Sequence, residues 1–435
     1  MISQFLFILL LSVGIYFFAI RVKKVMRNIN LGRDKVINDR KSERWQTMAR
    51  VALGQSKMGS RPVAAFFHLL IYIGFVIINI EVLEIMIDGV FGTHRVLSFL
   101  GGFYDFLIGS FEYLAIGVLL ACVVFLARRN IIRLKRFHMA EMTSWPKSDA
   151  NLILITEIFL MAAFLMMNAS DALLQSRGAT HYAVAGTFPV SSSLFGMLGA
   201  YSNETLMMIE RGCWWFHIVG IIAFLNYVPY SKHFHILLAF PNTWYANLNP
   251  KGQFNNMESV TNEVKLMMDP AAVPPPTDPN ALPQRFGAKD VKDLNWKQLM
   301  DAYSCTECGR CTSVCPANIT GKLLSPRKIM MDTRDRLEEV GKNLDEKGAD
   351  YDDGKSLIND YIKEEEIWAC TSCNACVEAC PILIDPLSII MDLRRFKVME
   401  ESAAPAELNG MFTKMENNGA PWQFSPADRM NWTEN

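Results

Sequence analysis

The sequence of 435 residues lacks any marked net charge and lacks the glycine-rich GxGxxG fingerprint of dinucleotide-binding folds. Lys and Arg number 43 against 44 Asp and Glu, so bulk charge indicates no nucleic-acid partner. Direct binding of NAD or FAD has no support. The N-terminus, MISQFLFILL, has no basic region and no small-residue cleavage site before Arg21, so we expect a retained membrane anchor.

The sequence also lacks any Cys-Cys pair, although it contains ten cysteines. Eight of them form two tight groups near the C-terminus. Their spacing is typical of metal ligands rather than of a disulfide framework. Thiolate ligands favour a reducing compartment, so we expect this part of the chain to face the cytoplasm.

Long hydrophobic runs are abundant, and 51% of the residues are hydrophobic. A helix needs about 20 apolar residues to cross a bilayer. Five stretches are long enough, at roughly 2–20, 62–87, 105–127, 152–174 and 213–240. The sequence therefore predicts a mainly α protein with a five-helix transmembrane bundle embedded in the lipid bilayer.

The charges of the loops predict the orientation of this bundle. Segment 21–61 holds twelve Lys and Arg and segment 128–147 holds six, whereas 88–104 holds one and 175–212 holds two. By the positive-inside rule, the two basic loops are cytoplasmic. We therefore expect a multi-pass protein of a bacterial cytoplasmic membrane, with its N-terminus outside and its C-terminal part in the cytoplasm.

Composition divides the chain into four parts. Residues 1–245 contain the five apolar stretches, and residues 246–285 read as an extended linker because they are rich in proline. Residues 286–400 are polar and have helical patterning, and residues 401–435 resemble a loosely ordered tail. The prolines of the linker region are Pro250, Pro270, Pro274–Pro276, Pro279 and Pro283.

The two cysteine groups are complete ferredoxin-type motifs, in which three cysteines two residues apart precede a fourth cysteine and a proline. The first motif consists of Cys305, Cys308, Cys311 and Cys315, and the second consists of Cys370, Cys373, Cys376 and Cys380. In two-cluster ferredoxins the first three cysteines hold one cluster and the fourth holds the other.

This crosswise rule predicts two [4Fe–4S] clusters in a helical, ferredoxin-like domain. One cluster is assigned to Cys305, Cys308, Cys311 and Cys380, and the other to Cys370, Cys373, Cys376 and Cys315. The alternatives are two zinc sites, which normally use pairs of CxxC motifs, or a disulfide scaffold. The remaining Cys122 and Cys213 are expected to be small packing residues.

Three of the seven histidines are candidate cofactor ligands. A lone histidine in an apolar helix is often a hydrogen-bonded core residue. However, ionisable groups inside membranes are costly and tend to be functional, and imidazole pairs across a helical bundle commonly hold b-type haem. His217 and His235 are 18 residues apart, or five turns, and are predicted to share one face of a helix over 213–240.

Depth in the membrane predicts which histidines pair. His68 lies about 10 Å inside the cytoplasmic surface and His235 lies near the inner end of the last helix, so they can bind one haem b. His217 is near the outer surface, and Ile78 and Asn79 occupy the place where a partner histidine is needed. Whether His217 binds a second haem or contacts a quinone stays open.

Residues 1–245 resemble the five-helix haem b subunit of respiratory nitrate reductase and heterodisulfide reductase. The residues that carry the resemblance are His68 in FFHLLIYIGF, His217 in WWFHIVG and His235 at the end of PYSKHFH. In that family four histidines on two helices hold two haems. The resemblance thus implies ligand roles for these three histidines, while the fourth position is missing near Asn79.

Residues 286–400 resemble the cluster domain of heterodisulfide-reductase-type iron–sulfur oxidoreductases, through the run FGAKDVKDLNWKQLMDAYSCTECGRCTSVCPANITGKLLSPRKIM. Fused relatives, similar to bacterial electron-transfer-flavoprotein:menaquinone oxidoreductases, continue into a domain with CCG motifs. Because this sequence has no Cys-Cys pair, the resemblance implies a separate cytoplasmic CCG-type iron–sulfur subunit as partner, together with an electron-transfer flavoprotein.

These features predict the electron-transfer subunit of a quinone-linked iron–sulfur oxidoreductase in a respiratory chain. Electrons would pass between a cytoplasmic protein, two [4Fe–4S] clusters, haem b and menaquinone or another quinone. No residue is singled out as catalytic, and the sequence does not set the direction of electron flow. The alternative is an iron–sulfur redox sensor or a structural subunit of a membrane assembly, without quinone chemistry.

The predicted orientation is testable with reporter fusions. A reporter that is active only in the cytoplasm is expected to work when fused after residue 435, and a reporter that needs export is expected to fail there. The same two reporters fused at Gly101, in the loop with a single arginine, should behave in the opposite way. Activity of the exported reporter at the C-terminus would contradict the assignment.

Overall fold

The computed structural model describes residues 1–269, 271 and 285–434 and is helical throughout. The described residues contain no β-strand, only isolated bridges such as Arg33 with Asn295, so the predicted mainly α fold is confirmed. The chain divides into two compact units. The first consists of Met1–Arg27, Asp39–Tyr245 and Tyr303–Gly309, and the second of Asn28–Asn38, Ala246–Ala302 and Arg310–Asn435.

Eight α-helices belong to the first unit. They are α1 (Ile2–Ile29), α2 (Lys41–Met48), α3 (Pro62–Phe91), α4 (Gly102–Asn130), α5 (Trp145–Ser176), α6 (Phe195–Leu198), α7 (Asn203–Tyr227) and α8 (His235–Trp244). By length and composition α1, α3, α4, α5 and α7 can each cross a membrane, the last together with the 3-10 turn that ends at Tyr230. The predicted five-helix bundle is confirmed.

Small residues let the helices of this bundle approach closely. A Cβ atom added at Gly89 of α3 would lie 2.6 Å from the ring of Phe7 in α1, and one at Gly74 would lie 2.5 Å from Val118 in α4. In a membrane, apolar surface alone does not drive helices together, because lipid is equally apolar. Close packing at such glycines therefore specifies which helices pair.

The last spanning helix ends earlier than the sequence predicts. One helix was expected over 213–240, but α7 stops at Tyr227 and α8 starts at His235. Pro229 lies between them, and proline both lacks a donor and clashes with the preceding turn. The carboxylate of Asp149 in α5 stabilises the break, since it accepts hydrogen bonds from Ser231 Oγ at 2.6 Å and from the Lys232 N–H at 3.1 Å.

This break separates two of the candidate ligands. His217 belongs to α7, whereas His235 is the first residue of α8. The expectation that five regular turns place them on one helix face is wrong, because the intervening residues are not α-helical. Ten residues, or about 15 Å of helix, lie between His217 and the end of α7 at Tyr227.

The remaining helices are α9 (Glu258–Met268), α10 (Trp296–Ser304), α11 (Arg310–Val314), α12 (Pro316–Ile319), α13 (Pro326–Lys347), α14 (Glu364–Trp368), α15 (Ala375–Ala379), α16 (Pro386–Met399) and α17 (Ala406–Asn418). Helix α9 lies where extended linker was expected. The prolines of the linker from Pro270 to Pro283 lie outside the described residues. Helix α17 and a 3-10 turn over Pro426–Thr433 occupy the tail, which was expected to be loosely ordered.

The second unit includes the segment that follows α1. The Arg33 N–H donates to the Leu294 carbonyl at 2.7 Å, and the Trp296 N–H donates to the Arg33 carbonyl at 3.1 Å. The indole N–H of Trp296 also donates to the Lys35 carbonyl at 2.9 Å. A chain that crosses a membrane five times leaves its first span and its fifth span on the same side. The segment after α1 and the residues after the fifth span can therefore belong to the same unit.

Gly287 provides a stability test of the second unit. Its φ is +70°, and a Cβ atom there would lie 2.3 Å from the Asp392 carbonyl oxygen. Gly287→Ala is therefore expected to cost about 3 kcal/mol or more of unfolding free energy, since it adds a backbone clash to the strain of positive φ. The measurement is the thermal midpoint at which the purified protein loses its cluster absorbance.

The matched control is Gly354, which has φ +72° but nothing within 4 Å of an added Cβ. Gly354→Ala should cost only the backbone strain, about 1–2 kcal/mol. Equal thermal midpoints for the two variants would show that the close approach at Gly287 is not present.

Candidate functional site

The two cysteine motifs follow the same backbone path. The backbone is left-handed at Glu307 (φ +53°) and Gly309 (φ +69°) in the first motif, and at the equivalent Ser372 (φ +56°) and Asn374 (φ +61°) in the second. Turns of this kind point successive N–H groups toward one side, which is the geometry that binds an anionic group. The backbone therefore turns in the same way after the first and second cysteines of each motif.

Backbone N–H groups also contact cysteine sulfur in the second unit. The Ser372 N–H donates to Cys370 Sγ at 3.4 Å, and the Ile384 N–H donates to Cys380 Sγ at 3.3 Å. The guanidinium of Arg394 donates to the Ser372 hydroxyl at 3.3 Å, which places a positive charge beside the second motif. Hydrogen bonds to sulfur and nearby cations raise the reduction potential of an iron–sulfur cluster.

Cys315 of the first motif lies close to the second motif. Burial raises the pKa of both Cys370 and Cys376, and the neighbouring Cys315 thiol raises the pKa of each further. Helix α11, which precedes Cys315, packs against α15, which contains Cys376. This is the arrangement that crosswise ligation needs for the cluster assigned to Cys370, Cys373, Cys376 and Cys315.

The donor set fits clusters better than the two alternatives. No two of the ten cysteines are joined in a disulfide, which gives a disulfide scaffold no support. Within the described residues no three His, Cys, Asp or Glu side chains are close enough together to hold a single metal ion. A tetrahedral zinc site needs such a group, whereas the thiolates around a cubane are held apart by the cluster itself.

His68 and His235 share a feature of iron-ligating histidines. His68 Nδ1 lies 3.0 Å from Gln55 Oε1, and His235 Nδ1 lies 3.0 Å from the Lys232 carbonyl oxygen. Each acceptor holds a proton on Nδ1, so that Nε2 carries the lone pair that a metal requires. Both rings are thereby oriented by the protein before any iron is bound.

A third imidazole lies beside these two. The ring of His233 is 5.6 Å from that of His235, edge to face. Burial, together with charge on His235 and on His68, lowers the pKa of His233 to about 3, so His233 lies within electrostatic reach of both other imidazoles. A 3-10 turn over Lys232–Phe234 places the ring of His233 alongside that of His235.

His217 lies apart from this group. It is 1% exposed, its Nδ1 lies 3.1 Å from the Leu160 carbonyl oxygen, and its ring packs 6.0 Å from that of Phe164. Both contacts are on α5. The structure therefore orients the ring of His217 as it does the rings of His68 and His235, but does not bring it together with them.

A buried ion pair joins the first cysteine motif to the histidine segment within the first unit. The ammonium of Lys232 pairs with the carboxylate of Glu307 and donates to the Pro146 carbonyl at 2.6 Å. Lys232 is 9% exposed and Glu307 is 3% exposed. Burial lowers the pKa of Lys232, and Glu307 raises it again in part. Glu307 itself lies between Cys305 and Cys308.

Sequence reasoning did not find Gln55, Lys232 or Glu307. None of the three belongs to the cysteine or histidine patterns from which the candidate ligands were chosen. The sequence did contain one signal, the carboxylate of Glu307 inside a cluster motif. An extra negative charge there is unfavourable unless a cation lies beside it, so a nearby Lys or Arg could have been expected.

Two family models match part of the C-terminal half of the chain. Residues 304–383 match a 4Fe-4S dicluster domain, and residues 270–320 match a second model of the same description. Together with the five apolar helices, these matches define the class: an iron–sulfur electron-transfer protein with a membrane-type helical part.

Two curated relatives extend over nearly the whole chain. The probable iron–sulfur-binding oxidoreductase FadF of Bacillus subtilis (strain 168) is 28% identical over 99% of this chain and 61% of its own length. The EtfAB:quinone oxidoreductase of Syntrophomonas wolfei is 26% identical over 91% of this chain and 55% of its own length. The chain thus spans less than two thirds of the length of either relative.

A shorter match covers part of the chain. A probable membrane-anchored ferredoxin of Chromohalobacter salexigens is 31% identical over 34% of this chain and 24% of its own length. No solved structure matches. The chain is therefore similar to iron–sulfur oxidoreductases and heterodisulfide reductase subunits, which confirms the resemblance predicted from the sequence.

The Lys232–Glu307 pair makes a quantitative prediction. Lys232→Met leaves the Glu307 carboxylate buried without a cation, which is expected to cost about 3–5 kcal/mol of stability. The double variant Lys232→Met/Glu307→Gln removes both charges and should recover most of that loss. Thermal unfolding of the purified protein in detergent measures both.

The control is Lys342→Met, which removes one member of an exposed pair with Glu346, where solvent screens the interaction. Its thermal midpoint should stay near that of the unmodified protein. If the double variant is as unstable as the sum of its two single variants, then the two side chains are not coupled.

Proposed function

We propose that this chain is the electron-transfer subunit of a quinone-linked, membrane-bound oxidoreductase. It transfers electrons between a soluble cytoplasmic protein and a membrane quinone. The same redox centres can carry electrons in either direction. Two [4Fe–4S] clusters and one haem b, when bound, supply the one-electron carriers. The observation that carries the proposal is the Lys232–Glu307 pair, which links a cluster motif to a candidate haem ligand inside one unit.

The eight motif cysteines are proposed as cluster ligands in the crosswise arrangement. The proximity of Cys315 to Cys370 and Cys376 supports the second cluster. The first cluster is assigned to Cys305, Cys308, Cys311 and Cys380 by the same rule. The left-handed turns at equivalent positions of the two motifs support a like role for each.

His68 and His235 are proposed as the two residues that would hold the iron of a haem b. The Gln55 side chain and the Lys232 carbonyl position the two rings, and burial lowers the pKa of His235, which favours the neutral imidazole that binds iron. His217 stays a candidate ligand of a second haem or a quinone contact. Its ring is oriented by the Leu160 carbonyl, yet no histidine is predicted opposite it.

Lys232 acts through its neighbours in this proposal. Its ammonium holds Glu307 between the cysteines of the first motif, and its carbonyl holds the ring of His235. One residue thus fixes the position of both groups relative to each other. Because the rate of electron transfer depends on the separation of the carriers, this rigid connection is what the chain contributes to the transfer.

The proposed setting is a bacterial cytoplasmic membrane, with the second unit in the cytoplasm. The basic loops 21–61 and 128–147 support this orientation. The proposed partners are a CCG-type iron–sulfur subunit and an electron-transfer flavoprotein. Support for the flavoprotein comes from the printed name of one relative, an EtfAB:quinone oxidoreductase, and the CCG-type subunit rests on the sequence resemblance.

Haem content of histidine variants tests the proposal. His68→Ala and His235→Ala each remove one axial ligand and are expected to abolish the haem that the pair holds, while the iron and sulfide of the clusters remain. The pyridine haemochrome assay counts haem, and iron analysis after haem extraction counts clusters.

His217→Ala is the matched control, since it replaces a buried, similarly oriented histidine in the same bundle. With one haem per chain, this variant should keep it. Unchanged haem in His68→Ala would contradict the assigned pair, and loss of haem in His217→Ala would transfer a ligand role to His217.

A further inference from the structure

The first unit contains a polar cavity of about 330 Å³ where α1 begins, α3 ends and α7 begins. Its lining includes Glu81, Glu84, His94, Arg95 and Asp171. A volume of this size has room for on the order of ten water molecules. Thirteen residues of α3, or about 20 Å of helix, separate Glu81 from His68, so the cavity lies far from the proposed haem ligands.

Most of the charged side chains around this cavity have hydrogen-bond or ion-pair partners. Arg95 donates to Asp171 at 2.6 Å, and the Glu84 carboxylate accepts from the Leu97 N–H at 2.8 Å and from the Tyr104 hydroxyl at 2.9 Å. These bonds connect the loop after α3 to α4 and α5. They explain how several charges can be buried together at this end of the bundle.

The more distant carboxylates are satisfied as well. Glu112 accepts from the Asn168 amide at 3.2 Å and from the backbone N–H of Val190 at 2.8 Å. Glu210 accepts from the Tyr182 hydroxyl at 3.0 Å and pairs with its neighbour Arg211. A structural role as an ion-pair network accounts for all of these groups.

Glu81 is different. It is 3% exposed, its Oε1 lies 3.7 Å from Arg95 Nη1, and its Oε2 has no hydrogen-bond partner. His94 Nδ1 also has none, while Nε2 of the same ring lies 3.5 Å from Asp171 Oδ1. Both side chains line the cavity. A buried carboxylate oxygen without a donor is costly, so these two atoms indicate something that occupies the cavity and exchanges hydrogen bonds with them.

The surrounding charges indicate a proton rather than a metal ion. Within the described part of the chain no three carboxylates or histidines converge as a chelating group. The groups that face Glu81 carry more negative than positive charge: Glu84 and Asp88 of α3, His94 and Arg95 of the loop, Glu112 of α4, Asp171 of α5, and Glu210 and Arg211 of α7. A site with this excess of negative charge favours a cation. A proton fits it better than a metal ion does, because a proton needs no shell of coordinating ligands.

We propose that this cavity is a proton-exchange site, in which Glu81 takes up one proton when an electron enters the bundle and releases it when the electron leaves. The carboxylate of Glu81 becomes a carboxylic acid by forming one O–H bond, and the proton comes from water through His94, whose side chain is 21% exposed. The electron stays on the redox centre. An added negative charge in a poorly screened interior favours protonation of a buried carboxylate, even over the roughly 20 Å that separates Glu81 from His68.

This inference rests on the proposed electron transfer through the bundle. It is tested on the purified full chain with its cofactors, by reductive titration in weakly buffered solution containing a pH-indicator dye. The unmodified protein should take up protons on reduction and show an infrared difference band of a newly protonated carboxyl group. Glu81→Gln should lose that band and the proton uptake linked to it.

Glu204→Gln is the matched control, because it makes the same chemical change at an exposed position near the start of α7 that does not line the cavity. It should keep both signals. Glu81→Asp retains a titratable carboxyl group and should show the band at a shifted frequency, which serves as the test if Glu81→Gln does not fold.

The outcomes separate the two proposals. If haem is present and Glu81→Gln takes up protons with an unchanged carboxyl band, or if the band of Glu81→Asp is not shifted, the proton site is overturned and the electron path stands. If the unmodified protein binds clusters but no haem, the electron path through the bundle fails, and the proton site fails with it.

Discussion

Lys232 and Glu307 form an ion pair in the interior of the first unit, between a turn that precedes α8 and the first cysteine motif. Burying both charges costs a large desolvation free energy, which the pair offsets only because its hydrogen bonds are complete. The Pro146 carbonyl and the Asp149 carboxylate complete the surroundings of the ammonium. The break after α7, the ring orientation of His235 and the position of Cys305–Cys308 all depend on this contact.

Local spacing made part of this arrangement predictable. The two cysteine motifs are defined by intervals of two and three residues, and each spanning helix by about 20 consecutive apolar residues, so neither depends on distant parts of the chain. The five spans and the iron–sulfur class were therefore confirmed. The asymmetry of the loop charges is equally local, although it bears on the membrane rather than on the fold.

The contacts that complete the site are long-range, and the sequence did not reveal them. Glu307 is 75 residues from Lys232, and the charges around Glu81 come from four helices and a loop. Glu81 was visible only as a polar residue near the far end of an apolar stretch. Pro229 was a local signal for the end of α7, but the hydrophobic run through it favoured one continuous helix and led to the wrong relative placement of His217 and His235.

The two ends of the bundle have different chemistry. At one end the rings of His233 and His235 lie together near the Lys232–Glu307 pair, and at the other end a polar cavity keeps one carboxylate oxygen unpaired. The central claim is that an electron can enter the bundle at the end that contains His235. A dithionite-reduced minus oxidised visible spectrum of the purified protein, with a pyridine haemochrome count, tests it most directly. The account predicts a b-type α-band at about one haem per chain. Protein that retains its clusters but shows no haem would contradict it.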